Sequence, residues 1–259
     1  MIEGLYFEDH GPADAPPVIL SAGLGGSGGY WAPNLAALAE RHRIILYDQR
    51  GTGRSDRMLP AHMTVEDMAR DVLALMDGLG LASSDFVGHA AGGAIGLTLA
   101  LEAPERVSRL VVVNGWSRLD PHTARCFEVR LDLLRDTGPH AYLRAQPIFL
   151  FPAIWISEHG NDLDAETDAQ LAHFQGSDNL EARLTALQAF YVDDRLEEVR
   201  APLLALAAKD DMLVPWTCSR RLAEGIPGGT LATMDWGGHA CNVTDPEGFN
   251  RLVLDFLRS

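Results

Sequence analysis

Short apolar runs bounded by Gly, Pro or Asp recur along the chain: PPVILSAG (16–23), RIILYDQRG (43–51), SDFVGH (84–89), RLVVVNG (109–115), APLLALAAKDD (201–211) and GTLATMDWGG (229–238). Most are aliphatic and β-branched, so they read as strands buried on both faces, the pattern of a mostly parallel sheet. Between them the period changes. In TVEDMARDVLALMDGLG (64–80), Val65, Met68, Ala69, Val72 and Met76 follow helical spacing, Thr64 and Asp67 make a capping pattern, and Gly78 and Gly80 supply a stop. Phe249, Leu252, Val253 and Phe256 share one face of a last helix. Alternating strands and helices predict an α/β fold with helices on both faces of the sheet.

The rhythm breaks between about Ser117 and Phe190, where no run reads as a buried strand. Helical patterns, aromatic residues and the two prolines of AQPIFLFPAIW (145–155) replace it. The expected organisation is therefore a core of residues 1–116 and 191–259 and a helical lid insertion of residues 117–190 over the end of the sheet.

Charge narrows the partners. The 259 residues include 21 basic and 36 acidic side chains, a net charge of −15. Such a surface repels phosphate backbones and anionic lipid, so neither nucleic acid nor a membrane is expected as a partner, and a small-molecule substrate is. No run reaches the roughly 18 apolar residues of a membrane span, and MIEGLYFEDHG has neither the basic start nor the apolar stretch of a signal peptide. Cys126, Cys218 and Cys241 are scattered and odd in number, which fits a reducing cytoplasm and no metal-binding pair. The chain is expected to act as a monomer or homodimer without a cofactor.

Two motifs compete for the glycine-rich loop. Gly23, Gly25 and Gly28 spell GxGxxG after a strand, and Asp48 lies 20 residues past Gly28, as in a dinucleotide site. Pro33 counts against that site, because it sits where the following helix should already be running. The other reading makes SAGLGGSGGYW (21–31) a loop whose Leu24 N–H points at an oxyanion. The stretch VGHAAGGAIG (87–96) follows a strand and opens a small-residue helix. Gly88 and Gly92 flank its centre as the glycines of GxSxG flank a nucleophilic serine, but the central residue is Ala90. Downstream, AAKDDMLVP ends a strand in two aspartates, and WGGHACN places His239 after the next. The order is elbow, acid, histidine.

YDQRGTGRSD, VGHAAGG, AAKDDMLVP and GGH together resemble the motifs of the α/β-hydrolase superfamily over nearly the whole chain. By position, the resemblance makes Asp211 the acid of the triad, with Asp210 the weaker candidate. Some relatives carry the acid one strand earlier, but VVVNGW offers only Asn114 there. The segments NGWSRLDPHTARCFEVR, AQPIFLFPA and AHFQGSDNL resemble more narrowly the pyrimidine-utilisation protein D family of the Rut uracil-degradation pathway. That family has alanine where other hydrolases have serine. The resemblance implies hydrolysis of a small labile product, carbamate or, in an alternative assignment, 3-aminoacrylate.

Without a serine, an acyl-enzyme at residue 90 is impossible. What remains is direct attack by a water that Ala90 leaves room for, with His239 as general base, Asp211 holding its tautomer, and the Leu24 and Ala91 N–H groups as oxyanion hole. A hydrolase stripped of its nucleophile keeps about 10³–10⁴-fold acceleration, enough only for a substrate that already decomposes unaided. A catalytically silent binding protein is the competing class. Cys241 is a substitute nucleophile only if it is reactive, and a buried inert thiol is the commoner case. For substrate contacts the lid offers Arg118, Arg125, Arg130 and Arg135, any of which can pair with a carboxylate. Phe149, Phe151 and Trp155 are candidates to wall a small pocket. Arg118, Arg125 and Trp155 head the list.

Overall fold

The computed structural model describes residues 1–258. Seven strands, β1 (Phe7–His10), β2 (Pro17–Ser21), β3 (Arg43–Tyr47), β4 (Ser84–His89), β5 (Val107–Val113), β6 (Leu203–Ala208) and β7 (Thr230–Met234), form one sheet in the order β1-β3-β2-β4-β5-β6-β7. All neighbours are parallel except β1, which runs antiparallel to β3. The six apolar runs supply β2 to β7. Their continuous apolarity has the expected cause, since alternate residues of one strand enter different cores. Ile19, Ile45, Leu110 and Val112 face one layer with Val72, Leu75 and Ile95. Val18, Leu20, Ile44, Val111 and Val113 face the other with Trp31, Leu38, Phe249 and Val253. Strand β1 escaped the sequence pattern because FEDH is a polar edge, hydrogen-bonded on one side only and nowhere fully buried.

Helices α1 (Ala32–Ala39), α2 (Val65–Gly78), α3 (Ala91–Glu102), α9 (Trp216–Gly225), α10 (Cys241–Thr244) and α11 (Pro246–Leu257) surround the sheet. The capping box of α2 forms, with Asp67 N–H donating to Thr64 Oγ1 (3.2 Å) and Thr64 N–H to Asp67 Oδ2 (2.9 Å). Between β5 and β6 lie α4 (Pro121–Asp132), α5 (Pro139–Leu150), α6 (Ala153–Glu158), α7 (Gly160–Ala172) and α8 (Ser177–Ala189). The two ends of this insertion pair at its neck, where Val192 N–H donates to Ser117 O at 2.8 Å and Arg118 bridges Tyr191.

The dinucleotide reading loses its carboxylate. Asp48 is fully buried and accepts from Gly28 N (2.9 Å) and Arg54 Nε (2.8 Å), so it shapes the glycine loop. Helix α1 begins only at Ala32, past the glycines, with Pro33 in its first turn, where a missing N–H costs nothing.

Candidate active site

The turn from β4 to α3 forces Ala90 to φ +49° and ψ −104°, a conformation an L-residue rarely adopts. Its neighbours must be small for the turn to close. A Cβ on Gly88 would lie 2.2 Å from Gly92 O, and one on Gly93 would lie 2.8 Å from Val112 Cγ1. Ala90 N–H donates to Val113 O at 2.9 Å, tying the strained residue to β5. The loop after β2 crosses directly above, since a Cβ on Gly23 would sit 3.8 Å from Ala90 Cβ and 2.9 Å from His89 Nδ1. Among the described residues, neither Leu24 N–H nor Ala91 N–H donates to a protein acceptor. For Ala91 the reason is its place at the start of α3, where N–H groups have no partner in the helix.

The ends of β6 and β7 bring the acid and the histidine together. His239 Nδ1 lies 2.7 Å from Asp211 Oδ2, and both side chains are almost fully buried. The other carboxylate oxygen, Asp211 Oδ1, accepts from Leu213 N (2.7 Å) and Val214 N (2.9 Å). Asp210 instead accepts from Gly238 N (2.9 Å) and Gly237 N (3.3 Å), bracing the loop that carries His239. The adjacent aspartates thus divide the work, one toward the imidazole and one toward the backbone.

Two residues behind this pair, His89 in the elbow motif and Asn114 just after β5, carry no catalytic role in the sequence reading but support the histidine loop. His239 O accepts from both His89 Nε2 (2.9 Å) and Asn114 Nδ2 (2.7 Å), while Asn114 Oδ1 accepts from Ala208 N (3.0 Å). Asn114 therefore clamps the histidine loop to β6. His89 is buried, stacked on Tyr30 and tilted against the His239 ring. Burial, then the proximity of His239, pushes its pKa well below the usual 6.5, so His89 stays neutral with its proton on Nε2. In the unfolded chain an ordinary histidine protonates near 6.5. The unfolded state therefore binds more protons, and stability is full above that pH and falls as pH drops below it, by up to about 1.4 kcal/mol per pH unit. Urea denaturation from about pH 7 to about pH 5.5 is expected to show a steeper loss for wild type than for His89→Gln. Parallel curves would remove His89 as the cause.

Cys241 is fully buried, and burial raises its thiol to about 12, which leaves essentially no thiolate at neutral pH. The lid candidates lie as follows. Arg118 is half exposed and pairs with Asp193 (3.4 Å), Arg125 is exposed and donates to Pro121 O (2.9 Å), and Arg135 pairs with Glu181 (2.8 Å). Trp155 stacks between Phe151 (4.3 Å) and His159 (4.0 Å) within the lid. Arg130 is buried and donates to Tyr142 OH (2.6 Å) and Gln146 Oε1 (2.9 Å), with Phe149 beneath its guanidinium. The lid also contacts the histidine loop, through Ala240 N–H donating to Leu150 O at 2.9 Å.

The lid residue that sequence reasoning missed is Arg183 on α8. It is fully buried and donates to Leu24 O (2.6 Å), Gln175 Oε1 (2.9 Å) and Gln49 Oε1. Burial lowers its pKa to about 10, leaving it a cation at neutral pH. A signal was present, because Arg183 falls within the buried stripe of Leu180, Leu184 and Leu187.

A strained turn after β4, an acid after β6, a histidine after β7 and open N–H groups beside the turn define an α/β hydrolase, and residues 16–142 match the alpha/beta hydrolase fold family. The chain is 55% identical over 258 residues to a protein of Caulobacter sp. strain K31 named "Putative carbamate hydrolase RutD", an alignment spanning 99% of this chain and 96% of the relative. A protein of Variovorax paradoxus strain S110 with the same name is 53% identical over 254 residues, spanning 98% and 96%. This chain belongs to that RutD family of α/β hydrolases. Among solved structures, the enol-lactonase from Burkholderia xenovorans LB400 superposes with a TM-score of 0.90 at 27% identity, covering 100% of this chain and 98% of that one. Among the described residues, no helix is long and apolar enough to cross a membrane.

Proposed function

We propose that the protein hydrolyses a small, labile C–N compound in uracil catabolism, carbamate in the first instance, through a water activated by His239 and without a covalent intermediate. The observation that carries this reading is a buried Asp211–His239 pair beside an elbow whose central residue, Ala90, has no nucleophilic atom. The name its relatives bear, carbamate hydrolase, is the support for the substrate.

In this mechanism His239 Nε2 takes a proton from water as the oxygen adds to the carbamate carbon. The N–H groups of Leu24 and Ala91 receive the negative charge that develops on oxygen. His239 returns the proton to nitrogen, the C–N bond breaks, and ammonia leaves with bicarbonate, the hydrated form of carbon dioxide. No general nucleophile is needed, because the residual acceleration of about 10³–10⁴ from positioning and oxyanion binding suits a substrate that already decomposes unaided.

Ammonia release from freshly prepared carbamate, and from 3-aminoacrylate as the alternative substrate, tests the proposal. Wild type is expected to exceed the spontaneous rate and His239→Ala to lose the general-base share of that excess, about 10²-fold or more. Wild type at the spontaneous rate on both compounds would overturn the enzyme reading in favour of a binding protein. Equal rates for wild type and His239→Ala would overturn the mechanism.

A further inference from the structure

Arg130 and Arg183 are the inserted helices' two buried guanidinium groups, at 3% and 0% exposure. Every acceptor the described residues give them is neutral: a phenol and a carboxamide for Arg130, a main-chain carbonyl and two carboxamides for Arg183. Taking a cation out of water without an anion to meet it is among the more expensive things a fold can do. It is the more unusual in a chain with 36 acidic side chains available for pairing.

Both groups also keep donors in hand. A guanidinium carries five N–H bonds. Nε of each is buried and has no partner. Arg183 commits both hydrogens of Nη1 and one of Nη2, so a hydrogen on Nη2 is uncommitted as well. Arg130 commits only Nη2.

Their position links them to the site. Arg183 holds the carbonyl of Leu24, whose N–H is the candidate oxyanion donor. The Leu24 side chain packs against the cluster of Leu134, Tyr142, Leu143 and Leu180. Tyr142 is the phenol that Arg130 engages. The two cations therefore converge, through Tyr142 and Leu24, on the lid-facing side of the loop that crosses the elbow.

We infer that Arg130 and Arg183 form the anion-recognition wall of the substrate pocket, holding beside Ala90 the carboxylate of a small monoanion, the charge that carbamate and 3-aminoacrylate share. The inference rests on the proposed active site, and it adds the residues that select the ligand by its charge. A neutral amide or ester of the same size leaves the buried guanidinium groups unmatched and is excluded on that account.

Sodium acrylate and acrylamide differ in the group that would meet the arginines and in little else. Titration of each, followed by ¹H–¹⁵N NMR shifts of the amides of Leu24, Gly25 and Ala91, reads binding without turnover. Acrylate is expected to saturate these shifts, with acrylamide at least about tenfold weaker, as befits a charge-assisted contact. Arg130→Gln is expected to lose the preference, and Arg130→Lys, which keeps the charge, to recover part of it. Arg183 is bound into three polymer contacts, so Arg183→Gln is read only if its thermal midpoint shows a folded protein; Arg130 carries the test otherwise. The same titration on His239→Ala separates the two claims. Acrylate binding retained there, with no hydrolysis by wild type, leaves the anion wall standing and sinks the enzyme reading. Equal binding of acrylate and acrylamide, binding of neither, or unchanged acrylate preference in a folded Arg130→Gln would overturn the inference and leave the arginines as struts between lid and core.

Discussion

Gly92→Ala is expected to destabilise the protein by about 3 kcal/mol or more, at or beyond the upper end of ordinary overpacking. A Cβ at that position would lie 2.2 Å from Ser21 O, 2.7 Å from Ser21 C and 2.9 Å from Ala22 O. All three are backbone atoms at the end of β2, so no rotamer change relieves the overlap. Either α3 lifts from the sheet or β2 shifts, and β2 is paired on both sides, to β3 and β4. The strain also reaches the chemistry, since Ser21 and Ala22 lead into Gly23 and Leu24. Gly25→Ala is the matched control. A Cβ there meets nothing within 4 Å, and its change in stability is expected to stay within about 0.5 kcal/mol. Urea denaturation of the two variants checks both statements. A Gly92→Ala protein as stable as Gly25→Ala would mean that the elbow does not pack as described.

The same residue explains why the elbow was legible in the sequence although its nucleophile is missing. The turn is specified by what cannot be large: Gly88, Gly92 and Gly93 each face backbone or a strand side chain at a distance no Cβ tolerates. Those constraints persist whatever occupies position 90. Strands β2 to β7 were legible for a related reason, because burial on two faces writes an unbroken apolar run. Strand β1 has one paired side and a polar sequence, so nothing in its pattern distinguishes it from a loop.

The support around the site was less legible, because its logic lies in contacts between distant segments. Adjacent aspartates carry no local sign of which one turns inward. The resemblance ranks Asp211 first by position, and the approach of Leu213 N and Val214 N on one side and His239 on the other gives the physical reason. Asn114 looks like the absence of an acid until its amide is seen bridging His239 O and Ala208 N. Among lid arginines, a count of charges favours the exposed ones near the start of the insertion. Burial selects Arg130 and Arg183, and burial is a property of packing between helices that neither composition nor local spacing fully reveals.

Under the proposed mechanism, Asp211→Asn is expected to lower kcat on the labile substrate by at least about 10²-fold while leaving KM and folding nearly unchanged, and the reason is a tautomer. Oδ1 of Asp211 receives two main-chain N–H groups, from Leu213 and Val214. An asparagine must keep its carbonyl oxygen there, since its amino group would point hydrogens at hydrogens. The amino group then faces His239 Nδ1, which sits 2.7 Å from the carboxylate oxygen it replaces. A donor in that place requires Nδ1 to accept, so the imidazole proton moves to Nε2. That is the nitrogen that must be bare to take a proton from water, and the general base is switched off with its position intact. The general-base share of such a reaction is about 10²–10⁴-fold, so the loss approaches that of His239→Ala. ¹⁵N shifts of the His239 ring provide the independent readout, with the proton on Nδ1 in wild type and on Nε2 in Asp211→Asn. A variant with the wild-type tautomer and lowered kcat would place the role of Asp211 in charge rather than orientation. A variant with the altered tautomer and full activity would mean that His239 is not the base.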